Sequence, residues 1–381
     1  MARIVLGSYL FRYPLGGMIS WVNQYLLGLL AAGHEVYFVE KSAYQESCYN
    51  PILRESSNDC RYGLEVVVPI LTEIGLAERW CFVDSGQRYY GMGKAHIENV
   101  FRSADLYIEM GAHEAWLEES SWATSRILVD GDPGFSQLEM TIRNEEGNPP
   151  PNYDFYFTLG RNLCGSQGKE PRGGVSWNPI FPPVCTKYLE YCPGSACRPF
   201  TTVMNWRSRR ELEYLGRKLG HKNIEFTRFK ELPLLTTQRL EIAVSGRDVP
   251  FEELTSLGWL VRDAQELTLT LGGYYSYIKA SGGELSVCKN GFVELKTGWF
   301  GDRSACYLAF GRPVILQDTG FSDHLPTGKG LFSFTSAEQA VEALTQIRMD
   351  YETHCAASRD IAEEFMEAKK VMEGVLEKVG V

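Results

Sequence analysis

The residues of this chain with the clearest capacity for chemistry fall in two stretches. The first is Asp130-Gly131-Asp132-Pro133-Gly134, a tight turn that follows the apolar run at residues 127–129. A short carboxylate held at a strand end can take the proton of a hydroxyl, and loops at strand ends form cleft rims. Asp132 is the first candidate base. His113, which follows residues 106–108 through Glu109-Met110-Gly111-Ala112, is the second, and Asp130 the third. Asp130 and Asp132 together could also hold Mg²⁺ or Mn²⁺ against a diphosphate. About one such Asp-x-Asp pair is expected by chance in a chain of this size, so no metal site is assigned.

The second stretch is Gly298-Trp299-Phe300-Gly301-Asp302-Arg303-Ser304, which runs on to Gly311-Arg312-Pro313-Val314-Ile315 and ends in Gln317-Asp318-Thr319-Gly320. It reads as a glycine turn, a short helix, a Gly-x-Pro stop and a buried strand. Glycine lets an anion approach the backbone closely, and the first N–H groups of a helix favour negative charge. A polar loop at the carboxyl end of a strand is where open α/β sheets place ligands. Arg207, just past Asn205-Trp206, and Lys289 could reach the same anion, or could be solvated surface charges. Val261, in Leu257-Gly258-Trp259-Leu260-Val261, could line a base pocket, with an ordinary turn before a strand as the plain alternative.

These residues need a scaffold, and the hydrophobic pattern supplies one. Residues 3–6 read as a buried strand, followed by a loop containing Gly16 and Gly17. Met18, Val22, Tyr25 and Leu29 then recur at helical spacing, Gly33-His34 closes the helix, and residues 35–39 form the next strand. That is a βαβ unit. Further strands are expected at 106–108, 127–129 and 155–159. Residues 165–199 are rich in Pro and Gly and make the best linker region. Beyond it, strands are expected at 200–204, 224–227, 284–287, 313–316 and 330–334, with helices over 208–219 and 302–310. Ser336 and Gln339 form a capping-box pattern ahead of a long helical tail, in which Ile361, Phe365 and Met372 mark an apolar face.

The stretch from Phe300-Gly301 to Gly311-x-Pro313-Val314-Ile315 resembles, in register, the donor-binding segment of GT-B glycosyltransferases. The opening loop with Gly16-Gly17 and the following Gly33-His34-Glu35-Val36 are similar to the start of the same family. The resemblance implies two Rossmann-like domains facing across a cleft, with the last helix crossing back to the first. It implies an N-domain over 1–185 for the acceptor, a linker over 186–199, a donor domain over 200–345 and returning helices over 346–381. It also implies a nucleotide-sugar co-substrate, UDP- or dTDP- ahead of GDP-, with no tightly bound cofactor, and a small-molecule acceptor. Two family carboxylates are missing. Cys306 stands where a glutamate often holds the donor ribose, and Gly298 where retaining members often carry another. Their loss favours an inverting transfer, and the two-domain pattern, which is not that of the metal-binding Asp-x-Asp glycosyltransferases, implies a metal-independent one.

The 381-residue chain is 44% hydrophobic and 23% charged, with a formal charge of −10. This is enough apolar material for two domains. The negative balance argues against nucleic acid or an anionic membrane as the main partner. No run approaches the ~20 apolar residues of a membrane span. The start, Met1-Ala2-Arg3-Ile4-Val5-Leu6, reads as a strand and not as a signal peptide. A cytoplasmic protein is expected, with homo-oligomerisation left open. Ten scattered cysteines without a C-x-x-C pair read as reduced thiols. A nucleotide-sugar epimerase, or an inactive sugar-nucleotide-binding protein, would share the fold. An NAD enzyme fits less well, because the first loop lacks G-x-G-x-x-G.

Overall fold

Apolar strands alternating with amphipathic helices make parallel sheets covered on both faces. The computed structural model of the chain contains two such sheets and describes residues 1–42, 44–111, 114–165, 171–207, 211–214 and 216–381. The first ten strands are β1 (Arg3–Gly7), β2 (Glu35–Lys41), β3 (Cys48–Asn50), β4 (Glu55–Ser57), β5 (Trp80–Val83), β6 (Tyr89–Gly91), β7 (Leu106–Met110), β8 (Ser125–Asp130), β9 (Phe155–Thr158) and β10 (Trp177–Pro179). Apart from the β3–β4 hairpin they form one sheet, ordered β10-β9-β8-β7-β1-β2-β5-β6, parallel except where β6 pairs with β5.

The second half contributes β11 (Phe200–Asn205), β12 (Leu212–Tyr214), β13 (Arg217–Leu219), β14 (Leu240–Ser245), β15 (Leu260–Asp263), β16 (Gly283–Ser286), β17 (Val314–Gln317) and β18 (Leu331–Phe334). Six of them form a parallel sheet in the order β15-β14-β11-β16-β17-β18. In each sheet the direction of strand addition reverses beside the first strand. β1 lies between β2 and β7, and β11 between β14 and β16. The crevice outside the carboxyl ends at such a reversal is the usual ligand site of an open α/β sheet.

Close packing ties the two halves together. The Gly16–Ala31 helix starts against the second domain, where the Gly16 N–H donates to the Thr268 carbonyl at 2.9 Å. A Cβ on Gly16 would stand 2.3 Å from the Thr270 carbonyl oxygen, so only glycine fits. Phe135, at the start of the Phe135–Glu145 helix, packs between the rings of His221 and Phe292 at centroid distances of 6.1 and 6.0 Å. The Ala368–Val379 helix crosses back to the first domain. Gly28 lets it approach, since a Cβ there would lie 2.7 Å from Met372 Cγ. Val184 clamps the crossing, with its N–H donating to Met366 and its carbonyl accepting from Ala368. Phe365 packs edge-on against Phe181.

Three sequence expectations are corrected. Residues 208–219 do not form a helix across their described part. Leu212–Tyr214 and Arg217–Leu219 pair as an antiparallel hairpin, because Leu212, Tyr214 and Leu219 point at the interdomain core and the Tyr214 hydroxyl reaches Glu145 at 2.8 Å. Residues 224–227 lie in the Lys222–Phe229 helix and not in a strand. There Phe226 and Phe229 are buried at a spacing of three, while Ile224 is exposed. Within 165–199, Trp177–Pro179 is not linker: it adds the parallel edge strand β10 to the first sheet. Only half of the expected capping box forms: Ser336 accepts from the Gln339 N–H, but the Gln339 side chain accepts from the Thr335 N–H and hydroxyl and not from the Ser336 N–H.

Candidate active site

The carboxyl ends of both sheets open onto one cavity of about 1000 Å³. Its second-domain wall is cationic. Glu284, on β16, is fully buried and accepts from Arg303 Nε at 2.6 Å and from Ser286 Oγ at 2.7 Å. Arg303 sits in the first turn of the Asp302–Ala309 helix and also donates to the Val203 carbonyl at 2.7 Å. Its Nη2 is buried with no partner among the described residues. Beside it is Lys222, the first residue of its helix. No carboxylate lies within ion-pair distance of Lys222 among the described residues. Burial and the neighbouring Arg303 push its pKa down to about 7.

Lys289 reaches the opposite wall. Its Nζ lies 2.6 Å from Asp132 Oδ1 and within 5.3 Å of the Phe135 and Phe292 ring centroids. The expected phosphate cation and the expected base are therefore paired with each other across the cleft. Asp130 has a different position. Its buried carboxylate accepts from Ser136 Oγ, Gln137 Nε2, Thr158 Oγ1 and the Asp132 N–H, which commits it to building the turn. Burial raises its pKa in spite of those bonds. His113 lies outside the described residues.

The first-domain wall is aromatic. Tyr9, Tyr13, Trp21 and Tyr49 line it, with Tyr9 edge-on to Tyr13 and Trp21 and Tyr13 stacked on Tyr49. Glu114 lines the same wall from the left-handed region, at φ 54°, with its N–H donating to Glu109 and its carboxylate 2.5 Å from Arg143. A non-glycine residue there stores strain of about 1 kcal/mol or more, of the kind found at functional sites. Tyr153 also lines the cleft. Trp116 and Tyr156 are core residues.

The other expected site residues divide between cleft and scaffold. Gly17, Asn205, Trp299, Gly301, Asp302 and Arg303 line the cavity with Lys289. Asp302 brings a carboxylate to the same helix start whose N–H groups were expected to hold the diphosphate, and burial raises its pKa. The Gly16 N–H is spent on Thr268. Phe300 is core, packed against Phe321. Ser304 is buried, its Oγ unpartnered among the described residues. Asp318, Thr319 and Gly320 stand behind the cleft wall. Thr319 Oγ1 donates to the Trp299 carbonyl at 2.6 Å, and the Asp318 carboxylate accepts the Gly320 N–H. They brace the Trp299 loop. Arg207 is exposed and pairs with Asp248 at 3.1 Å. Val261 packs into the core of the second domain, and the next segment, with Ala264, Gln265 and Thr268, faces the cavity in its place. Lys222, Glu284 and the Tyr9/Tyr13/Trp21 cluster were not singled out from sequence. Lys222 was hidden by reading its helix as a strand.

The two missing family carboxylates now have physical reasons. Gly298 has φ 75°, and a Cβ there would lie 2.9 Å from the Asn162 nitrogen. No side chain is accommodated at position 298. Cys306 is 1% exposed, closed off from the cleft by Ser20 of the first helix at 3.5 Å.

No protein-family model matches the chain, and no curated protein matches it in sequence. Solved structures do. An alpha-glucosyltransferase in complex with UDP and DNA aligns over 100% of both chains, with TM-score 0.61 and 10% identity. HepE from Anabaena, in complex with UDP and glucose, aligns over 100% of both at TM-score 0.57 and 11% identity. Sucrose-phosphate synthase from Thermosynechococcus elongatus aligns over 100% of this chain and 99% of its own at TM-score 0.55 and 14% identity. At such identities the likeness carries the architecture, so over its whole length this chain has the GT-B fold, two facing Rossmann-like domains with the last helix crossing back to the first.

Proposed function

We propose that the protein is a glycosyltransferase that moves a sugar from a UDP-sugar to a hydroxyl acceptor in the interdomain cleft. The observation that carries this reading is the pair Lys222 and Arg303. Among the described residues one is an ammonium without an ion-pair partner and the other a guanidinium with a buried, unpartnered N–H, side by side at the carboxyl edge of the second sheet. Such a pair suits a diphosphate. The glycosyltransferases of the same fold that were solved with UDP support the choice of nucleotide.

In this reading the acceptor lies on the aromatic wall. Its oxygen attacks the anomeric carbon, its proton passes to Asp132, and the bond from the anomeric carbon to the diphosphate oxygen breaks to release UDP. Lys289 leaves Asp132 Oδ1 for the diphosphate, which opens that oxygen to the acceptor proton. Inversion follows from a single displacement, and Gly298 leaves no room for the carboxylate that often marks retention. Lys222, Arg303 and Lys289 meet the diphosphate charge without a divalent metal.

The test is thermal stabilisation by UDP against GDP, NAD and no ligand, followed by product analysis with an acceptor panel in the presence of EDTA. A Tm raised by NAD and not by UDP would overturn the reading. The anomeric configuration of the product decides the stereochemistry. An α-linked product from an α-linked donor would mean retention and would remove Asp132 as base. An altered UDP-sugar formed without acceptor would mean epimerisation.

A further inference from the structure

A second groove, of about 390 Å³, lies between the β9–β10 edge of the first sheet and the returning Ala368–Val379 helix, and it shares no lining residue with the cleft. That volume is within the range of small-molecule sites. One side holds Arg161, in the turn after β9. Its guanidinium lies 4.0 Å from the Phe181 ring centroid, and its Nε is buried with no hydrogen-bond partner among the described residues. No carboxylate pairs with it there. Arg12, Arg303 and Arg359 each have a carboxylate partner, Glu40, Glu284 and Glu363, and Arg312 donates to the carbonyls of Cys192 and Lys279. The half-buried Arg172 shares with Arg161 buried nitrogens that have no partner among the described residues. Burial without a counter-ion pulls the Arg161 pKa below its usual value.

The opposite side is one stripe of the returning helix, Lys370, Gly374 and Lys378, spaced four apart and so on one face. Two cations flank a glycine. Glycine is a poor residue for a helix interior, and packing does not require it here, because a Cβ on Gly374 would meet nothing within 4 Å. This contrasts with Gly28, where the same helix leaves no space for a methyl. The missing side chain keeps the groove open. Phe365 and Val371 supply its apolar lining.

We propose that this groove is a second ligand site for a small anionic amphiphile, an acyl carboxylate whose head pairs with Arg161 and whose chain lies along Phe365, Val371 and the open face of Gly374. The two lysines draw the anion in from the rim. The experiment is calorimetric titration of the full chain with octanoate, with acetate and octan-1-ol as probes of the charged and the apolar half alone. Octanoate is expected to bind at one site, at least tenfold more tightly than either. Arg161→Gln is expected to weaken it at least tenfold. Gly374→Leu fills the open space, improves helix propensity and is expected to abolish binding with the Tm retained. Octan-1-ol binding as tightly as octanoate, or Gly374→Leu binding it as the parent does, overturns the proposal. Where Arg161→Gln fails to fold, the Gly374→Leu result decides alone.

Discussion

The two walls of the cleft touch at Asp132 and Lys289 and differ in chemistry. The second-domain wall presents Lys222, Arg303 and Lys289 from two helix starts and a strand end, with Glu284 fully buried beneath them. The first-domain wall presents ring faces from Tyr9, Tyr13, Trp21 and Tyr49, and its charges are largely spent on each other, Glu114 on Arg143. Three cations against two carboxylates, Glu284 and Asp302, leave the second-domain wall a positive balance for an anionic ligand. A wall of aromatic faces binds through apolar surface and hydrogen bonds, and it suits an acceptor carrying little charge. Asp132 and Lys289 are the point where the two walls touch.

Removing the keystone of the cationic wall should have the largest effect. Arg303→Gln leaves the buried Glu284 unpaired, so a stability loss of about 3–5 kcal/mol is expected by denaturant titration. UDP affinity should fall roughly tenfold to a hundredfold as a charged hydrogen bond is lost. The double change Arg303→Met with Glu284→Gln should recover most of the stability and none of the UDP binding. If it recovers both, the pair is scaffold and the wall does not read a diphosphate.

The next effect falls at the contact between the walls. Asp132→Asn should lower turnover by ~10²-fold or more, the scale for loss of a general base. UDP affinity should hold or rise slightly, because Lys289 no longer has a carboxylate to leave. His113→Gln should have the smaller effect. Steady-state kinetics beside UDP titrations would reverse the assignment if only the histidine variant lost turnover.

A third expectation concerns pH and belongs to the cationic wall alone. The Lys222 pKa is about 7 in the free protein, below the ordinary 10.5. The unfolded chain therefore binds more protons between those values, and stability without ligand should rise with pH from about 7 upward. UDP holds the charged form, so its binding takes up a proton above pH 7 and should weaken by up to ~10-fold per pH unit. Lys222→Met should flatten both slopes. Calorimetry in buffers of different ionisation enthalpy would measure the proton directly, and equal uptake by parent and variant would remove Lys222 from the site.

The smallest effects separate neighbouring glycines of the opening loop. Gly16→Ala drives a methyl into the Thr270 carbonyl and should cost about 1–3 kcal/mol. Gly17→Ala finds its nearest atom at 3.8 Å and should leave stability unchanged or slightly higher. Thermal melts of the two variants would show whether the loop is glycine-rich for packing, for ligand approach, or for one at each position.

Much of the fold was legible before any coordinates. Strands of a parallel sheet are buried on both faces, so residues 3–6 and 313–316 stand out as continuous apolar runs, and Gly33 and Gly311 mark the helix ends beside them. Reading failed where local pattern and tertiary contact disagreed. The charged run before Leu219 has helix-forming composition, yet its apolar residues are drawn to an interdomain core that no local window contains. Lys222 was lost at the next element, the Lys222–Phe229 helix, whose residues 224–227 read as a strand.

The sequence by itself determined the periodicities, the glycine turns and the buried central strands, because these depend on residues close together in the chain. Tertiary structure decided which charges meet. Asp132 and Lys289 are 157 positions apart, and Arg303 and Glu284 are joined only because the start of the Asp302–Ala309 helix packs at the sheet edge beside β16. It also decided that the Gly16 N–H serves packing, and that Asp130 builds a turn while Asp132 faces the cleft. The reason is physical: a polar group's role depends on whether folding leaves it a partner, and its partner here comes from another part of the chain.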